Sequence, residues 1–289
     1  MTPRRAASVT VAASAAVVAI CAVFALTACP KPPVEAAMEH WCPEGFEVGH
    51  GDVCFALPPT HGPHTGIVVY LHGHMEGRGD AAEWAAAHGV VARGYAVVLP
   101  RGRRALCALK AGREDEFCWP HGGDPGEIRA VLGDWDHTLW QVNELLEGAA
   151  HPRFVLASGE GATFAARLAQ SGAFKAKAFA LVGAGDAPAE PGEPTPSPPA
   201  ASERPSVLLL EGPEGEKINR LDKRLSGAGL PLVRCARSGA TTLSTPDVET
   251  ALRFFQGGGA FACDGAGRPA PAPAPAPVPT KTEKPRAKR

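Results

Sequence analysis

Five short apolar runs, at 66–71, 95–99, 154–157, 178–182 and 207–210, constrain this chain more than any other feature, and each has Gly or Pro within two residues of an end. Such runs are too short to be buried helices, and their Val, Ile, Leu, Phe and Tyr content suits strands covered on both faces. Between and after them the spacing becomes helical, predicting helices at 81–93, 128–147, 161–171, 218–226 and 247–256, with a further strand at 232–235. The stripe Trp135, Leu139, Val142, Leu145 and Leu146 is the core face of the second helix. Strands that alternate with helices predict an α/β domain, a mostly parallel sheet with helices on both faces. The segment 53–57 ends an amino-terminal hairpin.

The edges of that domain are set by composition. After Arg4 and Arg5, an apolar run over 9–26 ends in Leu26-Thr27-Ala28-Cys29, the charged, apolar and small-residue order of a secretory signal. The ending resembles a bacterial lipobox, which implies a signal peptide at 1–28, lipid attachment at Cys29 and a linker over 29–41. The alternative is an uncleaved anchor, since about 18 apolar residues just span a bilayer. Both readings put the body in the cell envelope, lipid-anchored or membrane-anchored, on the periplasmic or outer surface. From 264 to 289 the chain alternates Pro and Ala, then carries Lys281, Lys284, Arg286, Lys288 and Arg289. That composition cannot bury a core and favours extended backbone; its basic end suits an anionic envelope polymer or simple solvation. A second Pro-rich stretch, 186–205, is expected as a long disordered loop inside the domain. The folded part is then 42–263, enough for one sizeable domain. A formal net charge of −1 gives no reason to expect nucleic acid.

Outside the leader and Cys29, six cysteines remain, an even number suited to an oxidising compartment. Short loops favour the pairs Cys42–Cys54, Cys107–Cys118 and Cys235–Cys263 among the fifteen connectivities. A zinc site is the alternative, but no Cys-x-x-Cys spacing is present.

Chemistry concentrates at Ala157-Ser158-Gly159-Glu160-Gly161, between a strand and a helix. A strained strand-to-helix turn that presents a nucleophile needs small residues two before and two after it. Ala157 and Gly161 hold those places, so Gly159 stands at the nucleophile position; moving the register to Ser158 would put Leu156 and Glu160 at the crowded places. This segment, the order of elements and the His72-Gly73 pair after the first buried strand resemble the α/β-hydrolase superfamily, nearest its small esterase and dienelactone-hydrolase-like members, over the whole domain. The resemblance implies an α/β-hydrolase-like fold and a triad in the chain order Ser, acid, His. It also implies an oxyanion hole from a backbone N–H near Gly73 or His74 and that of Glu160. No G-x-G-x-x-G follows the first strand, so a dinucleotide site is not expected.

Each member of that triad is displaced. The nucleophile position is Gly159, with Ser158 as the alternative. The acid position, after 207–210, is Gly215, with Glu214 and Glu216 as alternatives or as surface charge. All ten histidines lie at or before His151, so none follows the elbow, and the base position falls at Thr242. A hydroxyl cannot accept and return a proton near neutral pH as imidazole does. The expectation is a pseudoenzyme, a ligand-binding or scaffold module without cofactor, whose crevice takes a small carboxylate or ester; Trp119, His121 and Asp124 are candidate contributors. The alternative is an active carboxylic-ester hydrolase using Ser158, or a metal-assisted site from His72, His74, His121 and Asp124. Arg101, Arg103 and Arg104 form either a phosphate clamp or a solvated basic loop.

Overall fold

The computed structural model describes residues 41–73, 75–76, 80–104, 106, 116–120, 124–147, 150–185, 199–211, 215–237, 243–257 and 261–263. The chain divides between Trp41 and Cys42, and everything below concerns the second unit. Cys29, with its leader, linker and basic tail, lies outside the described residues. No helix among the described residues is long and apolar enough to cross a membrane.

The chain runs β1 (Glu47–Val48), β2 (Cys54–Ala56), β3 (Ile67–Leu71), β4 (Met75–Glu76), α1 (Ala81–Val91), β5 (Ala96–Leu99), β6 (Glu116–Phe117), α2 (Pro125–Leu145), β7 (Arg153–Ser158) and α3 (Gly159–Ser171). It continues through β8 (Ala178–Val182), β9 (Ser206–Glu211), α4 (Gly215–Gly227), β10 (Leu232–Ala236) and α5 (Thr245–Gly257). Eight strands make one sheet in the order β1-β2-β5-β3-β7-β8-β9-β10; β4 and β6 pair separately. The β1–β2 and β2–β5 pairings are antiparallel, and every later one is parallel.

The sheet is buried on both faces because its strands alternate apolar with apolar. Ile67, Val69, Leu71, Val155, Ala157, Phe179, Leu181, Val207 and Leu209 belong to one core with Trp135, Leu139, Phe164, Leu221 and Leu225 from α2, α3 and α4. Side chains one residue out of phase face the other way, where Phe154 stacks on Phe255 of α5 at 4.7 Å. In α2 the buried stripe is Trp135, Leu139, Val142 and Leu146, while Leu145 is 45% exposed. Leu145 sits about 100° around the helix from Leu146, which takes it off the core face.

Caps explain where the helix starts differ from expectation. Asp124 accepts from Gly126 N at 2.8 Å and Pro125 occupies the first turn, so α2 begins at 125 and not 128. Asp80 caps α1 through Ala82 N at 2.7 Å. Only the end of the Pro-rich stretch is described. Positions 186–198 lie outside the described residues, but 199–205 are fixed: Arg204 donates to Pro199 O and Gly229 O, each at 3.2 Å. These bonds hold the chain as it enters β9.

Two of the expected disulfides are present, Cys42–Cys54 and Cys235–Cys263, with Cα separations of 5.5 and 5.7 Å. Cys118 is disulfide-bonded, while Cys107 lies outside the described residues. The first bridge fastens the start of the domain to β2, and the second fastens 261–263 to β10 at the opposite edge of the sheet.

Candidate functional site

Strands β3 and β7 lie side by side with Leu71 opposite Ala157, so their carboxyl ends bring His72-Gly73 against Ser158-Gly159. Parallel sheets form ligand crevices at such ends. Gly159 has φ +48°, the left-handed conformation that a strand-to-helix elbow demands and that glycine adopts without strain. Gly161 is held by packing instead. A Cβ there would stand 2.7 Å from Leu71 O and closer still to His72 O, so only glycine lets α3 approach β3. The elbow turn therefore centres on Gly159, which has no side chain to present.

Ser158 is the last residue of β7, in extended conformation with φ −121° and ψ 150°, and it is the N-cap of α3. Serine at that place ordinarily bonds an amide of the first turn. Here its hydroxyl makes no cap bond. It donates to Glu83 Oε1 at 2.7 Å and is 2% exposed.

Glu83 is the residue that the sequence conceals. It lies in the first turn of α1, three residues after the Asp80 cap, where an acidic side chain reads as a capping box or a favourable charge at a helix start. The side chain instead turns inward and is only 6% exposed. Gly73 N donates to Oε1 at 3.0 Å, Ser158 Oγ donates to the same oxygen, and the Tyr70 hydroxyl donates to Oε2. Burial pushes the Glu83 carboxyl above its ordinary value, and the bonds from Tyr70, Ser158 and Gly73 offset this only in part. Burial, followed by the neighbouring carboxylate, holds the Tyr70 phenol well above its ordinary range. The amide expected to face a substrate oxygen, that of Gly73, thus meets the protein's own carboxylate. Glu160 is the second residue of α3, and its N–H belongs to the first turn, whose amides the helix ladder does not use. His74 lies outside the described residues.

At the acid position, Gly215 begins α4, the helix that follows β9, and Glu216 is in its first turn; Glu214 lies outside the described residues. The base position, Thr242, also lies outside them. Its loop is closed at the root by a buried ion pair, Arg237 Nη2 to Asp247 Oδ2 at 2.9 Å, and the same oxygen accepts from Ser244 N at 2.9 Å and Ser244 Oγ at 2.6 Å.

Of the four residues of the metal-assisted alternative, two, His74 and His121, lie outside the described residues. His72 is fully buried; Gly102 N donates to Nε2 at 2.9 Å, and Nδ1 lies 2.9 Å from Gly73 O. These partners assign the proton to Nδ1 and occupy both ring nitrogens. Asp124 is engaged as the α2 cap, and His121 lies outside the described residues. No group of three metal-ligating side chains occurs among the described residues. Trp119 is not a crevice residue either, since it is buried, donates to His72 O at 2.8 Å and stacks on Phe164. The arginine clamp is dissolved in the same way. Arg101 pairs with Asp52 and lies over Phe117, and Arg103 pairs with Asp134 at 2.8 Å. Of the remaining histidines, His151 is buried between Thr65 O and Leu146 O, away from the elbow.

No protein-family model and no curated protein matches the chain. Among solved structures, a carboxylesterase from Mesorhizobium loti is similar at 16% identity and a TM-score of 0.53, over 74% of this chain and 100% of that one. TT1662 from Thermus thermophilus is similar at 16% identity and a TM-score of 0.50, over 73% and 96%. At such identities the likeness carries the fold, not the activity.

Proposed function

We propose that this chain, with its α/β-hydrolase fold, is a cell-envelope lipoprotein whose domain binds or scaffolds without hydrolysing, held to the membrane through Cys29. The observation that carries the reading is Gly159 at φ +48°: the elbow is retained in shape, and the atom that would attack is missing from it. The lack of any histidine beyond His151 supports it, because loss of nucleophile and base together removes the machinery of acyl transfer. A small carboxylate or ester is the ligand class that the crevice suits once the Gly73 amide is released by Glu83, with the basic tail meeting an anionic envelope polymer. The carboxylesterase from Mesorhizobium loti is similar in fold and says nothing of turnover here.

One observation favours a second reading. Ser158 Oγ lies 2.7 Å from a buried carboxylate, which is a nucleophile within reach of a base. Against it stand the near-complete burial of the hydroxyl and the engagement of the Gly73 amide by that same carboxylate oxygen. The full-length protein, incubated with a panel of short-chain and aryl carboxylic esters, is expected to release acid no faster than buffer, with or without a chelator. Turnover abolished by Ser158→Ala would replace the proposal with the second reading.

A further inference from the structure

The three donors around Glu83 come from separate places in the fold: the interior of β3 (Tyr70), the turn that follows it (Gly73) and the end of β7 (Ser158). Two of them, Gly73 N and Ser158 Oγ, converge on one oxygen, and the Tyr70 hydroxyl takes the other. The seat is shaped for a carboxylate as well as lined with donors for one. A Cβ on Gly73 would stand 3.1 Å from both Glu83 Oε1 and Ser158 Oγ, so glycine leaves the room in which the carboxylate sits. A buried anion held by this many directed donors is the arrangement of a ligand site.

We propose that Tyr70, Gly73 and Ser158 form a carboxylate-binding site whose resident ligand is the side chain of Glu83, an internal plug that closes the elbow crevice to external carboxylates and ester oxygens. The inference rests on the non-hydrolytic reading of the same site, in which no ester oxygen takes up the Gly73 amide. A diverted N-cap supports it, since Ser158 forgoes the usual bond to the first turn of α3 in order to hold Glu83. The ligand class follows from size. Truncation at Cβ removes one methylene and the carboxylate, and a free anion must keep van der Waals distance from the remaining methyl group. Formate therefore fits best, acetate less well and propionate poorly.

The experiment uses the full-length protein and reads binding, so it can fail independently of any assay of turnover. Thermal unfolding of Glu83→Ala is followed in sodium formate and in sodium chloride at equal ionic strength. Formate is expected to raise the unfolding temperature of Glu83→Ala saturably, in the order formate, acetate, propionate. Wild type and Glu83→Gln, whose seats are filled, should not respond. Adding Ser158→Ala to Glu83→Ala should weaken the response. Equal effects of formate and chloride, or an equal response from wild type, would overturn the proposal. If Glu83→Ala does not fold in chloride, recovery of folded protein on refolding in formate supports the plug, and failure in both salts counts against it.

Discussion

Replacing Gly161 by Ala tests whether α3 is seated on β3 as closely as described. On an open helix the change is favourable, because glycine in a helix interior is about 1 kcal/mol less stable than alanine. At Gly161 the added methyl would stand 2.7 Å from Leu71 O and 2.9 Å from Leu71 C, both backbone atoms of a central strand fixed on both sides by β5 and β7. Overpacking a well-filled core costs about 1–3 kcal/mol, and contact with backbone leaves no rotamer by which to escape. Because backbone cannot give way, the upper end of that range applies; with the helix gain subtracted, a net loss of about 2 kcal/mol is expected, or about 4–8 °C in unfolding temperature for a domain of this size. Gly133, on the exposed side of α2 with nothing within 4 Å of a Cβ, is the matched control. Gly133→Ala should gain about 0.5–1 kcal/mol. Parallel thermal scans of the two variants decide the matter, and a Gly161→Ala protein as stable as wild type would refute the close approach and the elbow register built on it.

Other expectations follow from the same contacts. The Glu83 carboxyl has a raised pKa in the folded chain, so the folded state binds more protons than the unfolded one between the ordinary and the raised values. Stability from this group is full below the ordinary carboxylate value and is lost as pH rises through the raised one; the unfolding free energy of wild type relative to Glu83→Gln should therefore grow on acidification through that window. Asp247→Asn removes the carboxylate that pairs with buried Arg237, and breaking such a pair costs about 3–5 kcal/mol, read by urea unfolding against wild type. Converting Cys42 and Cys54 together to Ser opens a loop with a sequence separation of 12, for which chain entropy predicts a loss of about 3 kcal/mol, measured by the same titration.

The parallel sheet was legible because burial on both faces leaves a local signature: runs such as Ile67–Leu71 and Ala178–Val182 are apolar throughout. The strand-to-helix turn at 157–161 was legible for a similar reason, since the need for small residues around a tight turn is written within five positions. The pair β4 and β6 escaped notice because two-residue strands have no period to read. Glu83 escaped for a different reason. A carboxylate three residues after a capping Asp is fully explained by its own helix, and only the fold brings Tyr70, Gly73 and Ser158 around it. At His72 the sequence left two readings open, and the fold decides between them. Proximity to a crevice suggested a ligand, whereas both ring nitrogens are engaged by the backbone of Gly102 and Gly73. Trp119 and Asp124 were likewise drawn towards the crevice by their place in the chain, and are instead a core side chain and a helix cap.

The central claim is that the elbow holds no working nucleophile, and covalent labelling tests it most directly. The full-length protein and its Ser158→Ala variant are incubated with a serine-reactive phosphonate and read by intact mass. Gly159 at the turn and a buried, carboxylate-bound Ser158 predict the unmodified mass for both proteins. A single adduct on wild type that disappears in Ser158→Ala would contradict the account and make Ser158, with Glu83 beside it, the nucleophile of a working hydrolase.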